Sequence, residues 1–154
     1  MPRFSVETFV GVKSDVVWEV LADYGNVSEW NSGIRRSNLT SDGDVGVGSA
    51  RHCEMDKGMF INERVLEWDE GKRLVIEMTD SSMPMKAFVA EIALRSDGVG
   101  TIVSMTPTYT PSYGIMGLVG DAMFGQRKFK GMMQSVLSDL KTYAEARQAE
   151  TQAA

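Results

Sequence analysis

The sequence predicts an α+β domain in which a curved antiparallel β-sheet wraps around one long C-terminal helix. From Leu118 to Ala144, apolar residues recur at the spacing of one helical face over about seven turns. Upstream of Thr110, apolar runs follow one another with only turn residues between them, which favours antiparallel strands. Because the helix needs a wide apolar partner, we expect the sheet to curve along it and to leave a pocket between the two layers.

The N-terminal third combines one strand with two short helices. Phe4–Val10 is predicted to be a strand, and Ser14 is placed to cap the helix that follows. A second helical turn is expected at Val27–Trp30, before an extended segment at Ile34–Leu39. The first helix has an apolar face that consists of Val17, Val20, Leu21 and Tyr24.

Turn residues divide the middle of the chain into five further strands. Asp56-Lys57-Gly58, Asp69-Glu70-Gly71 and Ser96-Asp97-Gly98 have the composition of hairpin turns. Strands that follow one another through such turns pair antiparallel. The predicted strands are Gly48–Met55, Met59–Trp68, Arg73–Thr79, Lys86–Arg95 and Thr101–Tyr109.

The C-terminal helix presents a broad apolar stripe, whereas Lys128, Asp139 and other charged residues lie off it. Residues 1–148 are predicted to form a single domain, and the small and polar residues 149–154 a frayed tail. The stripe consists of Leu118, Ala122, Phe129, Met132, Met133, Val136, Leu137, Leu140, Tyr143 and Ala144.

The composition of the 154 residues excludes several classes of function. With 21 acidic and 16 basic residues, the net charge of −5 supplies no cationic surface for nucleic acid or anionic lipid. No apolar run approaches the roughly 20 residues of a membrane span, and residues 1–15 lack the apolar core of a signal peptide. The single Cys53 cannot form an internal disulfide. We therefore expect a cytoplasmic protein that is a monomer or a weak homodimer.

Hairpin geometry brings one pair of charged residues together. If Lys57 is the centre of its turn, Arg51 lies directly opposite Glu63. Side chains alternate along a strand, so these two share a face with three residues that suit the interior. An inward Arg51 would need the carboxylate of Glu63, which could bind it in a bidentate manner. The other residues on this face are Cys53, Met55 and Ile61.

Two alternatives stay open for this pair. Alternation within Met59–Trp68 alone would bury Phe60, Leu66 and Trp68 instead, and only a β-bulge would reconcile the two patterns. The pair could also be a structural salt bridge at the edge of the sheet, with no role in function.

Other groups that could carry chemistry are excluded by their spacing. His52 and Cys53 are neighbours on one strand and point to opposite faces, so the imidazole cannot activate the thiol. One histidine and one cysteine cannot form an ordinary metal site, and no cofactor is expected. Glu63 and Glu67 lie about 13 Å apart along a strand, which is too far for a carboxylate dyad.

Four glycines at the start of the C-terminal helix do not form a phosphate loop, since no Gly-Lys-Ser/Thr follows them. Each would weaken the helix by roughly 1 kcal/mol, which predicts a loosely held flap over the mouth of the pocket. We expect Met83-Pro84-Met85 and the turn Asp56–Gly58 to complete the entrance. The glycines are Gly114, Gly117, Gly120 and Gly125.

Eleven methionines support a pocket that adapts to apolar ligands, because thioether side chains are flexible. The inward faces of the strands and the helix would line it, with Arg51 and Glu63 as its main polar groups and Ser104 or Thr106 as an added hydroxyl. The candidate ligand-binding residues are Arg51, Cys53, Met55, Ile61, Glu63, Ile76, Met78, Phe88, Ala90, Ser104, Phe129, Met133 and Val136.

Three stretches of the sequence carry a family resemblance: Val17–Tyr24 with the nearby Trp30, Gly48–His52, and Glu63–Glu67. Through them, nearly the whole chain resembles the START-like, Bet v 1-like group of polyketide cyclase/dehydrase and lipid-transport proteins. The resemblance implies a helix-grip fold, an internal cavity for a small hydrophobic molecule, and a Glu63 that faces this cavity.

Within that group, the abscisic acid receptors differ from this chain at their functional loops. Their gate Ser-Gly-Leu-Pro-Ala is replaced by the shorter turn Asp56-Lys57-Gly58, and their latch His-Arg-Leu by Met83-Pro84-Met85. The lysine that holds the hormone's carboxylate corresponds to Asn31. A gated hormone receptor is therefore not expected.

The expected function is the binding or transport of a small hydrophobic molecule, lipid-like or polyketide-like, with a hydroxyl or carbonyl that meets Arg51 and Glu63. The alternative is an enzyme of the polyketide cyclase or dehydratase type, in which Glu63 acts as acid or base and Arg51 fixes an enolate oxygen. A third possibility is a protein-interaction module that uses Phe124, which lies off the helical stripe, as an exposed contact.

Overall fold

A seven-stranded antiparallel sheet and one long helix form the two layers of the computed structural model, which describes residues 3–112 and 125–153. The predicted α+β class is confirmed, with two short helical segments after the first strand. The strands are β1 (Val6–Val10), β2 (Arg36–Leu39), β3 (Ala50–Glu54), β4 (Phe60–Asp69), β5 (Arg73–Ser81), β6 (Met85–Asp97) and β7 (Gly100–Pro111). The helices are α1 (Ser14–Ala22) and α2 (Gln126–Ala153), with 3₁₀ turns at Tyr24–Glu29 and Asp56–Gly58.

The strands of the sheet are arranged in the order β1-β7-β6-β5-β4-β3-β2. β2 to β7 are neighbours in chain order, as the turn residues predict for β3 to β7. β1 joins the other edge by pairing with β7, where Val6 lies opposite Met105. The order places β3, which carries Arg51, beside the edge strand β2, and β4, which carries Glu63, on the other side of β3.

The apolar face predicted for α1 is confirmed, but its predicted cap is wrong. Lys13 occupies the capping position, Ser14 is the first helical residue, and the side chain of Lys13 makes no capping hydrogen bond. The acidic Asp15 lies instead in the first turn, where a negative charge interacts favourably with the helix dipole. Val17, Val20 and Leu21 of this face are buried on α1, whereas the fourth residue, Tyr24, is buried in the 3₁₀ turn that follows.

The long helix α2 runs beyond its predicted end. It continues through residues 149–153, where the composition predicts a frayed tail. These residues include alanine, glutamine and glutamate but no glycine or proline, so they favour a helix. The predicted start, with Leu118 and Ala122, lies outside the described residues. Neither α2 nor any other helix in ranges 3–112 and 125–153 combines the length and the apolar character that crossing a membrane requires.

The core lies under the C-terminal half of α2 and under α1. Leu137, Leu140 and Ala144 of α2 are buried to 1% exposure or less. On the other side of the core, Trp18 of α1 meets Trp68 of β4 edge to face, with ring centroids 5.1 Å apart. The turns of α2 that precede Leu137 are less buried, so they can form one wall of a cavity.

A β-bulge in β4 reconciles the two alternation patterns in this strand. Val65 pairs with Ile76 and Glu67 with Val75, so Leu66 is an extra residue without a partner on β5. Before the bulge, the buried residues are Ile61, Glu63 and Val65, and after it Trp68 packs against the core. The inward placement of Glu63 is thus confirmed. Burial of Phe60 and Leu66, the alternative pattern, is wrong: Phe60 stacks on His52 and Leu66 is exposed.

Two polar side chains fasten α2 to the end of β1. Glu145 Oε2 accepts hydrogen bonds from the backbone N–H of Gly11 at 2.7 Å and from Lys141 Nζ at 2.9 Å. Lys141 Nζ also donates to the carbonyl oxygen of Phe9 at 2.7 Å. The hydrogen bond from the Gly11 N–H is the largest cause of a lowered pKa of Glu145, and the hydrogen bond from the Lys141 ammonium is the second largest. This clamp fixes the helix against the edge of the sheet.

Replacing Glu145 with glutamine is expected to lower the free energy of unfolding by about 0.5–1 kcal/mol at pH 7, a small value because the site is partly exposed. Because the pKa of Glu145 is lower in the folded protein than in the unfolded chain, its ionised carboxylate stabilises the fold at pH values above the pKa of the unfolded chain. This stabilisation disappears as the pH falls through the folded-state pKa. The difference in the free energy of unfolding between wild type and Glu145→Gln should therefore become smaller below about pH 4. Urea denaturation across this pH range measures it. Glu150→Gln, an exposed site on the same helix, is the control, and an equal effect of both variants would contradict the clamp.

Candidate ligand-binding site

A cavity of about 290 Å³ lies between the inner face of the sheet and α2. This volume is at the lower end of the range of about 300–1,000 Å³ for small-molecule sites. Its walls are mainly apolar. The predicted site residues that line it are Arg51, Cys53, Met55, Ile61, Glu63, Ile76, Phe88, Ala90, Phe129, Met133 and Val136.

Three residues predicted for the site do not line the cavity. Ser104 lies between Val103 and Met105, which are both buried, so alternation turns the serine to the outer face. Thr106, the alternative hydroxyl, also faces outward, and its Oγ1 donates to Ser5 Oγ at 3.1 Å. Met78 packs against the two apolar clusters of the interior and is not a lining residue.

The polar centre of the cavity is the pair Arg51 and Glu63. The two residues lie opposite each other on β3 and β4, so the register predicted from the turn at Lys57 is confirmed. Both side chains are about nine-tenths buried. Arg51 Nε and Nη2 lie 3.0 and 2.9 Å from Glu63 Oε1. The expected bidentate pairing is wrong, because both contacts converge on the same oxygen.

The aromatic ring of Tyr24 supports the guanidinium of Arg51. Arg51 Cζ lies 4.0 Å from the centroid of this ring, a cation–π distance. Nη1 of Arg51 donates to the carbonyl oxygen of Tyr24 at 3.0 Å. Each nitrogen of the guanidinium thus has an acceptor within the protein. The sequence predicts Tyr24 only as a core residue, since its spacing marks the apolar face of a helix and carries no sign of the contact to β3.

Burial and the charges of the pair determine the protonation of this centre. Burial lowers the pKa of Arg51, but the nearby charge of Glu63 raises it, and the net shift is upward. Burial raises the pKa of Cys53 to about 12, although Arg51 opposes the shift. Cys53 is therefore a neutral thiol at pH 7. It suits the role of a small core residue and not that of a nucleophile.

A polar contact at the rim joins α2 to the loop after the 3₁₀ turn. Asp139 Oδ2 accepts hydrogen bonds from the backbone N–H of Ser32 at 2.9 Å and from Ser32 Oγ at 2.7 Å. Asp23 and Asn31 also line the cavity near this loop. The sequence singles out Asn31 through its correspondence to the lysine of the abscisic acid receptors, but it does not predict Asp23 or Ser32 as site residues, since this region has no periodic pattern. For Asp139, the position off the apolar stripe is the available signal.

The predicted entrance is only partly among the residues that line the cavity. Met83 and Met85 line it, together with Met105 and Met132, in agreement with the predicted methionine-rich wall. Gly58 of the turn Asp56–Gly58 borders a separate hollow instead. The predicted flap with Gly114, Gly117 and Gly120, and the proposed contact Phe124, lie outside the described residues.

His52 takes no part in the cavity. Its Nδ1 lies 2.6 Å from Asn62 Oδ1, and its ring stacks on Phe60 on the opposite face of β3 from Cys53. In the described parts of the chain, no group of three or more histidine, cysteine, aspartate and glutamate side chains could hold a metal ion.

Solved structures of several proteins share this fold. The protein XoxI from Bacillus cereus has a TM-score of 0.74 and 17% identity, with 93% of this chain and 95% of that chain covered. The Zhui aromatase/cyclase from Streptomyces sp. R1128 has a TM-score of 0.78 and 15% identity, with 95% of this chain and 94% of that chain covered. The ginseng major latex-like protein 151 from Panax ginseng has a TM-score of 0.74 and 15% identity, with 93% of this chain and 97% of that chain covered. At these identities the likeness concerns the fold alone.

The sequence itself matches one family over most of its length. The model of the family described as polyketide cyclase / dehydrase and lipid transport matches residues 1–145. No curated protein matches the chain. With the fold, the cavity and this match taken together, the chain belongs to the polyketide cyclase / dehydrase and lipid transport family.

Proposed function

We propose that the chain binds or transports a small hydrophobic molecule, lipid-like or polyketide-like, in the cavity between the sheet and α2. The observation that carries this proposal is a largely apolar cavity with one buried charged pair on its wall. Apolar walls supply affinity by removing ligand surface from water, and a few fixed polar groups orient the ligand. The family match is consistent with this role.

The lining methionines favour ligands of varied shape. Met55, Met83 and Met85 line the cavity from the sheet side, and Met132 and Met133 line it from α2. Each has an unbranched, flexible side chain, so the walls can adjust to different apolar bodies. A carrier of hydrophobic molecules benefits from this property more than a receptor for one compound.

Filling the cavity should abolish the binding of an apolar probe. Ala90 lines the cavity from β6, whereas Ala93 on the same strand faces away. With the neutral dye N-phenyl-1-naphthylamine, we expect fluorescence enhancement in the wild type and at least about 10-fold weaker binding by Ala90→Phe, because the phenyl ring occupies the ligand volume. Ala93→Phe is the matched control and should bind the dye like the wild type.

Equal dye binding by Ala90→Phe and the wild type would contradict the proposed site. Overpacking can cost about 1–3 kcal/mol, so the thermal transition of each variant is measured first. Ala90→Leu, a smaller change, serves if the phenylalanine variant does not fold. Native mass spectrometry of protein purified from its own host would identify a co-purifying ligand directly.

A second function is favoured by one specific observation. The carboxylate of Glu63 faces the cavity, and among the described residues no hydrogen bond or ion pair reaches its Oε2. This oxygen could take a proton from the carbon between two carbonyl groups of a polyketide, while the electron pair moves to a carbonyl oxygen near Arg51. Return of the proton to another atom would complete an enolisation of the cyclase or dehydratase type.

Glutamine at position 63 should separate this enzyme from a binding protein. The probe is 1-phenylbutane-1,3-dione, whose exchange of α-hydrogen for deuterium is followed by NMR. If Glu63 is the base, Glu63→Gln should reduce the protein-dependent exchange by roughly 10²–10⁴-fold while binding stays nearly intact. For a binding protein, wild type and variant should both exchange at the rate of the buffer. Glu7→Gln, an exposed carboxylate on β1, is the control.

A further inference from the structure

The hydrogen bonds of Glu63 are distributed unevenly between its two oxygens. Oε1 receives both contacts from Arg51, and the Cys53 thiol also lies 4.0 Å from it. Oε2 has no hydrogen-bond partner among residues 3–112 and 125–153, although the residue is only 7% exposed. A carboxylate oxygen is an acceptor only, so its natural partner is a hydrogen-bond donor. Glu63 lines the cavity, so a donor group on a ligand bound there can reach this oxygen.

The charges around the cavity do not balance. Arg51 is the one cation among the described lining residues, which also include three carboxylates, those of Glu63, Asp23 and Asp139. All three guanidinium nitrogens already have protein acceptors. The sequence of residues 113–124 contains no lysine, arginine or histidine and adds one more acidic residue. No basic residue of that segment could therefore neutralise the excess negative charge.

We propose that this cavity selects hydrophobic molecules whose polar group is a hydrogen-bond donor without negative charge, a hydroxyl or an ammonium group, and rejects carboxylates of the same size. This inference rests on the proposed binding function and names its ligand class. The donor of the ligand binds Glu63 Oε2, and the apolar body lies against Phe88, Phe129 and Trp30. A ligand carboxylate would instead meet a second carboxylate in an apolar surrounding, which is strongly unfavourable.

Four probes with the same ring system test the head group. Naphthalene, 2-naphthol, 2-naphthoate and 2-naphthylmethylammonium compete for the site against N-phenyl-1-naphthylamine, a dye without charge. In the wild type we expect 2-naphthol to bind at least about 10-fold more tightly than 2-naphthoate, with naphthalene between them. 2-Naphthylmethylammonium should bind at least as well as naphthalene, because its charge is opposite to that of the site.

The variant Glu63→Gln should reverse this preference. The amide removes the negative charge and can donate a hydrogen bond, so 2-naphthoate should gain affinity several-fold and the advantage of 2-naphthol over naphthalene should shrink. Glu7→Gln changes the net charge equally on an exposed site of β1 and should leave the order of the probes unchanged. Circular dichroism confirms that both variants are folded.

The outcomes separate this inference from the proposed function. Binding of 2-naphthoate as tightly as 2-naphthol by the wild type would overturn the charge selection, and so would equal affinity for all four probes. Those results would leave the cavity as a binding site, provided that Ala90→Phe still loses the dye. If the dye binds equally to wild type and Ala90→Phe, the proposed function itself fails. If Glu63→Gln does not fold, the comparison of the four probes on the wild type decides.

Discussion

Replacing Arg51 with methionine is expected to lower the free energy of unfolding by about 3–5 kcal/mol. The substitution keeps much of the apolar volume but leaves the carboxylate of Glu63 without its cation in a site that is nine-tenths buried. It also removes the donor to the Tyr24 carbonyl and the contact with the Tyr24 ring. Chemical denaturation monitored by tryptophan fluorescence measures the change.

A matched pair on the outer face of the sheet provides the control. Arg64 of β4 and Glu77 of β5 also form a cross-strand ion pair, but Arg64 is half exposed. Arg64→Met should therefore change the free energy of unfolding by no more than about 1 kcal/mol. A similar cost for Arg51→Met and Arg64→Met would mean that burial does not govern the strength of these pairs.

The double variant Arg51→Met with Glu63→Leu should recover part of the loss. With both charges gone, no unpaired carboxylate is buried, so we expect a coupling free energy of about 1–3 kcal/mol between the two positions. If Arg51→Met alone does not fold, recovery of a cooperative transition by the double variant carries the same information. Strict additivity of the two single changes would contradict a direct interaction between these side chains.

Leu140→Asp should be the most destabilising single change in α2. Leu140 has 0% exposure, so an aspartate there would be buried among apolar side chains without a partner, at a cost of several kcal/mol. Val136→Asp should cost less, because Val136 is only half buried and lines the cavity. Thermal unfolding followed by circular dichroism at 222 nm measures both.

Two companion variants make this prediction specific. Ser138→Asp places the same charge on the exposed face of the helix and should leave the melting temperature nearly unchanged. Leu140→Ala creates a cavity without a charge and should cost about 2–5 kcal/mol, which leaves a measurable transition if Leu140→Asp does not fold. An unchanged melting temperature of Leu140→Asp would remove this part of α2 from the core.

Much of the fold follows from local patterns in the sequence. Turn residues mark the ends of β3 to β7 to within a few residues, and the apolar stripe identifies α2. The turn at Lys57 is enough to pair Arg51 with Glu63, because a hairpin register depends only on where the turn is centred. Because each of these features depends on residues that are close together in the chain, the sequence is sufficient to predict them.

Other features depend on contacts between distant segments and leave little trace in the sequence. The bulge at Leu66 has no glycine or proline to mark it. The contact between Ser32 and Asp139 joins residues more than 100 positions apart across an aperiodic loop. The convergence of both Arg51 donors on one oxygen of Glu63 is a matter of side-chain geometry, and strand alternation cannot predict which oxygen stays open.

The bulge at Leu66 divides β4 into two lengths with separate tasks. Before it, Ile61 and Glu63 line the cavity, and after it Trp68 packs against the core and meets Trp18. One strand thus serves both ligand recognition and the stability of the fold, with a single residue between the two. We expect substitutions on the cavity side of Leu66 to diversify recognition while the tryptophan contact on the other side preserves the fold, so that new specificities can arise without loss of the scaffold.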